Sequence, residues 1–119
     1  MATEFAIEDR RIGGDTHVVV VSGEVDLFTA PEFKQRVMAP IAAGVEHVIV
    51  DLTATTFIDS SSLGALIGAH RRLKTRGGRL VVACDVDAIV KTFRITGLDG
   101  VFTLVPTVDA ALGADAEAA

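Results

Sequence analysis

The chain has 119 residues, half of them apolar and 23% charged, which is typical of one folded domain and excludes a disordered chain. Its 11 basic and 16 acidic residues give a net charge of −5, which argues against a nucleic-acid partner. No apolar run approaches the ~20 residues that a membrane-spanning helix needs, and a lone cysteine, Cys84, excludes an internal disulfide.

Two strands are predicted in the first part of the chain. Residues 5–8 alternate weakly between apolar and polar side chains and predict an edge strand. Gly13 and Gly14 predict a tight turn. Residues 16–23 include a run of consecutive valines, which is typical of a central strand whose two faces are both buried.

A first helix is predicted to begin at Thr29. The Thr29 hydroxyl is placed to cap the helix, with Glu32 three residues later as in a capping box, and Pro31 fits the first turn. Pro40 lacks the N–H that a helix interior needs, so it should kink or end the helix near Ala39, and Gly44 should end it at the latest. One helical face collects the apolar residues Phe33, Val37 and Ile41.

The middle of the chain predicts a strand, a loop and a second helix. Residues 47–52 predict a second buried strand, and residues 53–56 predict a short polar loop. The helix should run from about residue 60 to residue 76, where Gly77 and Gly78 stop it. Its apolar face is formed at helical spacing by Leu63, Leu66, Ile67, His70 and Leu73.

The last third of the chain continues the alternation of strands and helices. Residues 79–84 predict a third buried strand, residues 86–96 a helix, and residues 101–105 a short strand. Residues 108–112 predict a terminal helix. The small and acidic tail, residues 113–119, is expected to be flexible.

This element order predicts an α/β fold with a mostly parallel sheet of four to five strands, about four helices and right-handed crossovers. The first strand is expected to join antiparallel at an edge. We therefore expect a single domain over residues 1–119, with its core at about residues 5–112. No basic segment followed by an apolar stretch is present near residue 1, so a cytoplasmic location is expected.

A carboxylate and three hydroxyls, Asp59 through Ser62, stand where the second buried strand leads into a helix. In a parallel sheet this position lies at the carboxyl edge, where ligands and partners bind. Helix capping alone is one interpretation, although capping needs only one of these side chains. A phosphorylation switch is another. A phosphoserine adds about −1.5 to −2 charge, which a helix N-terminus tolerates. Phosphorylation would therefore weaken the binding of a docked partner and leave the fold intact.

Enzymatic and cofactor chemistry finds little support in the sequence. The chain has no GxSxG elbow for a nucleophilic serine and no Gly-rich phosphate-binding loop. The histidines His17, His47 and His70 are scattered, so we expect no metal, no cofactor and no catalytic residue. His70 is interpreted as a packed or boundary residue, and Cys84 as an inert buried one.

The segment DSSSLG, from Asp59 to Gly64, resembles the DSSGLG signature of the STAS domain, and more narrowly that of bacterial anti-sigma factor antagonists. Two other features agree with this resemblance. The sequence GEVD at 23–26 is followed by Thr29 and Ala30, and the strand VIVDL at 48–52 precedes the signature. The resemblance covers about residues 5–112 and implies a STAS-like fold.

The resemblance implies a non-enzymatic switch with Ser60 as the phosphoacceptor. Unphosphorylated members bind an anti-sigma factor, which is also their ATP-binding serine kinase, and free its sigma factor. Phosphorylation abolishes that binding, and a phosphatase acting on phospho-Ser60 would restore it. Asp59 is implied to orient the serine hydroxyl or to contact the kinase, and Ser61 to support the helix start.

Further residues are implied to form the docking surface. Ser62 stands where the family usually has glycine, so its Cβ bears on partner fit and its hydroxyl is a secondary candidate acceptor. Gly64 and Gly68 either pack closely against the sheet or let a partner helix approach. The predicted partner-binding set is Asp59, Ser60, Ser61, Ser62, Leu63, Gly64, Gly68, Glu24, Asp26 and Thr29.

Two alternatives stay open at this point. A constitutive STAS subunit of a transporter or signalling complex would dock through the same helix start without phosphorylation. A nucleotide- or small-ligand-binding STAS module would use the edge formed by Glu24, Asp26 and Ser60, although the net negative charge argues against phosphate binding. We expect a monomer that contacts neither nucleic acid nor a membrane.

Overall fold

The architecture is a five-stranded sheet with helices on both faces. The computed structural model describes residues 4–12 and 15–118. The strands are β1 (Ala6–Ile12), β2 (Thr16–Val25), β3 (His47–Ile58), β4 (Arg79–Ala83) and β5 (Thr103–Val105). The helices are α1 (Ala30–Ala42), α2 (Ser60–Lys74), α3 (Asp87–Ile95) and α4 (Val108–Ala118), with a 3₁₀ turn at Leu98–Gly100.

The sheet has the strand order β1-β2-β3-β4-β5. Strand β1 pairs antiparallel with β2, and the remaining neighbours pair in parallel. The predicted α/β fold with an antiparallel edge strand is therefore confirmed. The turn predicted at Gly13 and Gly14 lies outside the described residues. Within those residues, no helix is long and apolar enough to cross a bilayer.

The buried strands divide their apolar side chains between two cores. Val19 and Val82 belong to the core beneath α1, α2 and α3. The neighbouring Val18 and Val81 point to the opposite face, where they pack with Ala111 of α4. Successive strand positions thus alternate between two covered faces, which explains why these strands read as continuous apolar runs.

The end of one helix falls within the predicted bound, and the end of another does not. Helix α1 has the predicted apolar face, continues past Pro40 and ends at Ala42, before Gly44. Pro40 lies in the last turn, so the missing N–H disturbs little of the helix, and its carbonyl accepts a hydrogen bond from the Val45 N–H at 3.0 Å. The terminal helix α4 was predicted to end at Leu112, and it continues to Ala118.

Residues 53–56 were predicted as a loop, and this is wrong because they belong to β3. Thr55 is fully buried and its hydroxyl donates a hydrogen bond to the Val21 carbonyl at 2.9 Å. Strand β2 follows β3 along this stretch through two register shifts, one of which places Ser22 opposite Ala54. Three of the four residues are threonines, whose β-branched side chains favour a strand. Strand β3 therefore extends to Ile58, beside the end of β2, and leads almost directly into α2.

Candidate functional site

The start of helix α2 lies at the carboxyl end of β3, the central strand of the sheet. The last residues of two neighbouring strands, Val25 of β2 and Ile58 of β3, are paired in the sheet. Asp26 and Asp59 therefore follow adjacent strand ends, with the half-buried Glu24 one residue before Val25. The sheet brings the predicted Glu24, Asp26 and Asp59 to one edge, as expected for parallel strands.

Asp59 caps helix α2, but it holds a different serine from the one predicted. Its Oδ1 accepts the backbone N–H of Ser62 at 3.2 Å and lies 3.1 Å from the Ser62 hydroxyl. Ser60, the first residue of the helix, is exposed, and its hydroxyl makes no hydrogen bond to any residue in 4–12 or 15–118. Asp59 thus caps the helix, and within the described residues the Ser60 hydroxyl has no hydrogen-bond partner.

Ser62 is part of the core and not of the docking surface, contrary to the prediction. Its side chain is fully buried, and its Oγ lies 3.3 Å from the Val25 carbonyl oxygen, which joins α2 to the end of β2. A buried and bonded hydroxyl is out of reach of a kinase, so Ser62 is not a secondary acceptor in this fold. Leu63 is buried as well and packs in the core beneath α1, α2 and α3.

The turn between β2 and α1 is fixed by reciprocal hydrogen bonds. The Asp26 carboxylate accepts the backbone N–H groups of Phe28 at 2.9 Å and Thr29 at 3.0 Å. The Thr29 hydroxyl accepts the Asp26 N–H at 2.9 Å. The Thr29 N–H holds the pKa of Asp26 below its ordinary value, because the hydrogen bond favours the charged carboxylate.

Thr29 is the residue before helix α1, as predicted, but it forms no capping box with Glu32. The Thr29 hydroxyl makes no hydrogen bond to the first turn of the helix. It is already engaged with Asp26, within the turn that precedes the helix. The predicted capping role of Thr29 is therefore wrong, and its hydroxyl instead stabilises the β2–α1 turn.

Two apolar side chains at this edge were missed by the sequence analysis. Leu27 is 67% exposed and Phe28 is 89% exposed. Leu27 lines an open groove of about 330 Å³ between the β2–α1 turn and α2. The other residues that line the groove are Ala30, Pro31, Lys34, Ser61 and Ala65. Ser61 thus faces solvent beside this groove, whereas the helix start is supported by Asp59 and Ser62.

Gly64 and Gly68 lie on the exposed side of α2. A Cβ added at either position would meet no heavy atom within 4 Å beyond the helix itself. Close packing of these glycines against the sheet, one of the two interpretations above, is therefore wrong. Glycine inside a helix costs roughly 0.5–1 kcal/mol relative to alanine. The fold supplies no steric reason for this cost.

The other candidate residues have structural surroundings. His70 contacts Phe102 edge to face at a ring distance of 5.5 Å, which confirms it as a packed residue, and burial lowers its pKa. Cys84 is buried, and burial raises the pKa of its thiol. Across residues 4–12 and 15–118, no group of three or more His, Cys, Asp or Glu side chains is placed to bind a metal ion.

Comparison with known proteins agrees with the fold. The model of the STAS domain matches residues 6–111. The anti-sigma-B factor antagonist of Listeria monocytogenes is 31% identical over 101 residues, which cover 84% of this chain and 88% of that protein. An anti-sigma factor antagonist from Mycobacterium paratuberculosis has a crystal structure that matches with a TM-score of 0.86 and 33% identity, over 93% of each chain.

A more distant structure shows the same fold. The phosphorylated form of SpoIIAA, a Bacillus cell fate determinant, matches with a TM-score of 0.70 and 23% identity, over 88% of this chain and 96% of that chain. The family match, the relatives and the shared fold extend over most of the residues described above. The chain belongs to the STAS domain family of anti-sigma factor antagonists.

Proposed function

We propose that this protein is an anti-sigma factor antagonist controlled by phosphorylation of Ser60. The unphosphorylated form binds an anti-sigma factor that is also a serine kinase, and it thereby releases the sigma factor. Phosphate on Ser60 abolishes the complex, and a separate phosphatase restores it. The protein itself carries out no turnover, and the exchange of partners takes place in the cytoplasm.

The observation that carries this proposal is the state of the Ser60 hydroxyl. It is exposed at the first position of α2 and bonds to no residue in the described parts of the chain. The neighbouring Asp59 is occupied in capping α2 through Ser62, and Ser62 in joining the helix to β2. A kinase can therefore modify Ser60 without removing any interaction on which the fold depends.

Electrostatics at the helix start explain how the switch would act. A phosphoserine adds roughly −1.5 to −2 charge. The first turn of α2 contains no acidic residue, and the positive end of the helix dipole favours an anion there. The fold is thus expected to tolerate the phosphate. A partner that covers Ser60 must instead desolvate the new charge, so the complex is lost while the structure stays.

The test is a paired pull-down from the native cytosol with Ser60→Ala and Ser60→Asp proteins as baits. We expect the alanine bait to retain one ATP-binding anti-sigma kinase and the aspartate bait to lose it. The thermal midpoint of Ser60→Asp should stay close to that of the wild type, because an exposed helix N-terminus accommodates a carboxylate. Ser60→Asn is the matched control, since its side chain has the size of aspartate without the charge.

Three results would contradict this proposal. Equal retention of the same partners by both Ser60 baits would show that Ser60 does not control binding, and a constitutive STAS subunit would then explain the chain better. A large loss of stability in Ser60→Asp would show that the position belongs to the fold. Loss of the kinase from the Ser60→Asn bait as well would show that the size of the side chain, and not its charge, controls binding.

The exposed glycines of α2 provide a second test of docking along this helix. Gly64→Ala and Gly68→Ala should each raise the free energy of unfolding by roughly 0.5–1 kcal/mol, because alanine favours the helix and meets no neighbour. The same changes should weaken binding of the anti-sigma factor, since a methyl group separates two closely apposed surfaces. Urea unfolding and calorimetric titration measure the two effects.

Gly113→Ala is the matched control for these glycines. Gly113 is an exposed glycine of α4, and an added Cβ meets nothing within 4 Å there. Helix α4 packs on the opposite face of the sheet from α2. This variant should also gain stability, but it should leave binding unchanged. Unchanged binding in Gly64→Ala and Gly68→Ala would place the partner away from the exposed face of α2.

A further inference from the structure

Phe28 is the most exposed large apolar side chain among the residues that the structure describes. It is 89% exposed, and the preceding Leu27 is 67% exposed. Exposing two adjacent apolar side chains to water is unfavourable in the isolated protein. Their position, one strand away from the phosphoacceptor, suggests what would cover them.

The turn that carries these side chains is held rigid. The Asp26 carboxylate accepts the N–H groups of Phe28 and Thr29, and the Thr29 hydroxyl accepts the N–H of Asp26. These bonds fix the backbone on both sides of Leu27 and Phe28. Little backbone freedom remains to be lost when a partner covers the turn, so the apolar side chains are preorganised for binding.

The turn is continuous with the proposed switch. Leu27 and Ser61 line opposite sides of the same groove, and Ser61 follows Ser60 on α2. A partner that covers Ser60 therefore has this groove beside it. Among the described residues that line the groove, Lys34 is the only charged one, so the groove is complementary to an acidic group on that partner.

We infer that the Leu27–Phe28 turn is the apolar anchor by which the anti-sigma factor binds, with Phe28 inserted into an apolar pocket of that partner. An acidic side chain of the partner pairs with Lys34 in the groove. Asp26 acts as a positioning residue, because it holds the turn and need not touch the partner. This inference rests on the proposed function, since it names the surface that Ser60 controls.

A second copy of this chain fits the surface less well. A two-fold symmetric contact would bring two copies of Lys34 into one small interface. The described residues that line the groove include no carboxylate to pair with either of them. An anti-sigma factor with an acidic group at this point meets no such repulsion. We therefore assign the turn to a different protein and treat self-association as a result that would overturn the assignment.

The experiment uses the purified anti-sigma factor that the Ser60→Ala protein retains, with affinity measured by calorimetric titration. Phe28→Ala should weaken binding by about 30-fold or more, the effect of truncating an aromatic anchor at an interface. Ile95→Ala is the matched control, because Ile95 is 74% exposed and belongs to α3. It should change the affinity by less than about 2-fold.

The positioning role of Asp26 has its own pair of variants. Asp26→Ala should weaken binding, because the Phe28 and Thr29 N–H groups lose their acceptor. Asp26→Asn should restore most of the affinity, because the amide oxygen accepts the same bonds. Equal loss in both variants would show that the partner needs the charge itself, and the positioning role would be wrong.

The outcomes separate this inference from the proposed function. If Phe28→Ala and Leu27→Ala bind as the wild type while Ser60→Asp does not bind, the anchor is wrong and the switch stands. If Ser60→Asp binds as the wild type while Phe28→Ala does not, the switch is wrong and the anchor stands. If the wild type sediments as a dimer and Phe28→Ala as a monomer, a second copy occupies the turn and the inference is overturned.

Discussion

Replacing Gly23 by alanine is expected to lower the free energy of unfolding by about 2–5 kcal/mol. Gly23 lies in β2 with a φ of +83°, a conformation that costs an L-residue roughly 1–2 kcal/mol. An added Cβ would also collide with the Glu4 carbonyl oxygen and lie 2.7 Å from the Glu4 carbonyl carbon. These are backbone atoms, so relief requires a shift of the chain, at a cost of about 1–3 kcal/mol.

Gly44→Ala separates the cost of the positive φ from the cost of the collision. Gly44 has a φ of +98°, but an added Cβ there meets no atom within 4 Å. This variant should lose only the roughly 1–2 kcal/mol of the backbone conformation. Urea unfolding of the two proteins side by side measures the difference. Equal losses would show that the chain at Glu4 moves away freely and that the collision costs nothing.

Phe33→Ala is expected to cost about 3–5 kcal/mol, because it removes a fully buried aromatic ring and leaves a cavity between α1 and the sheet. A domain of ordinary stability has about 5–15 kcal/mol in total, so much of the margin would be lost. Chemical denaturation at 25 °C, followed by circular dichroism, gives the value.

The same substitution at Phe28 is the internal control. Phe28 is 89% exposed, so Phe28→Ala should leave the free energy of unfolding within about 0.5 kcal/mol of the wild type. The two variants remove the same atoms, and only burial distinguishes them. A loss below 1 kcal/mol at Phe33 would contradict the packing described for α1.

The sheet was predictable because apolar runs report burial on both faces. The continuous valines of β2 and the apolar stretches of β3 and β4 indicated strands between two layers of helices, which the structure confirms. The second half of β3 was not predictable from polarity. There Ala54 and Thr55 pair with the end of β2, and that pairing depends on register shifts that no local pattern encodes.

The site was predicted only in part, because hydrogen bonds between residues decide which serine is exposed. Ser60 could be located from its motif, but its free hydroxyl depends on Asp59 bonding to Ser62 instead. Burial of Ser62 follows from contact with Val25, a residue 37 positions earlier in the chain. Leu27 and Phe28 did leave a signal, since they precede the predicted helix and fall outside its apolar face.

The order of the strands has a consequence for how recognition is distributed. Because β2, β3 and β4 lie side by side in sequence order, the loops that follow them stand next to one another along one rim. Ser60, the proposed phosphoacceptor, follows the middle strand and is flanked by a turn from each neighbouring strand. The exposed positions of the flanking turns, such as Phe28 and Asp85, can change without altering Ser60 or the two cores. Ser60 can thus stay constant while the choice of partner diverges on either side of it.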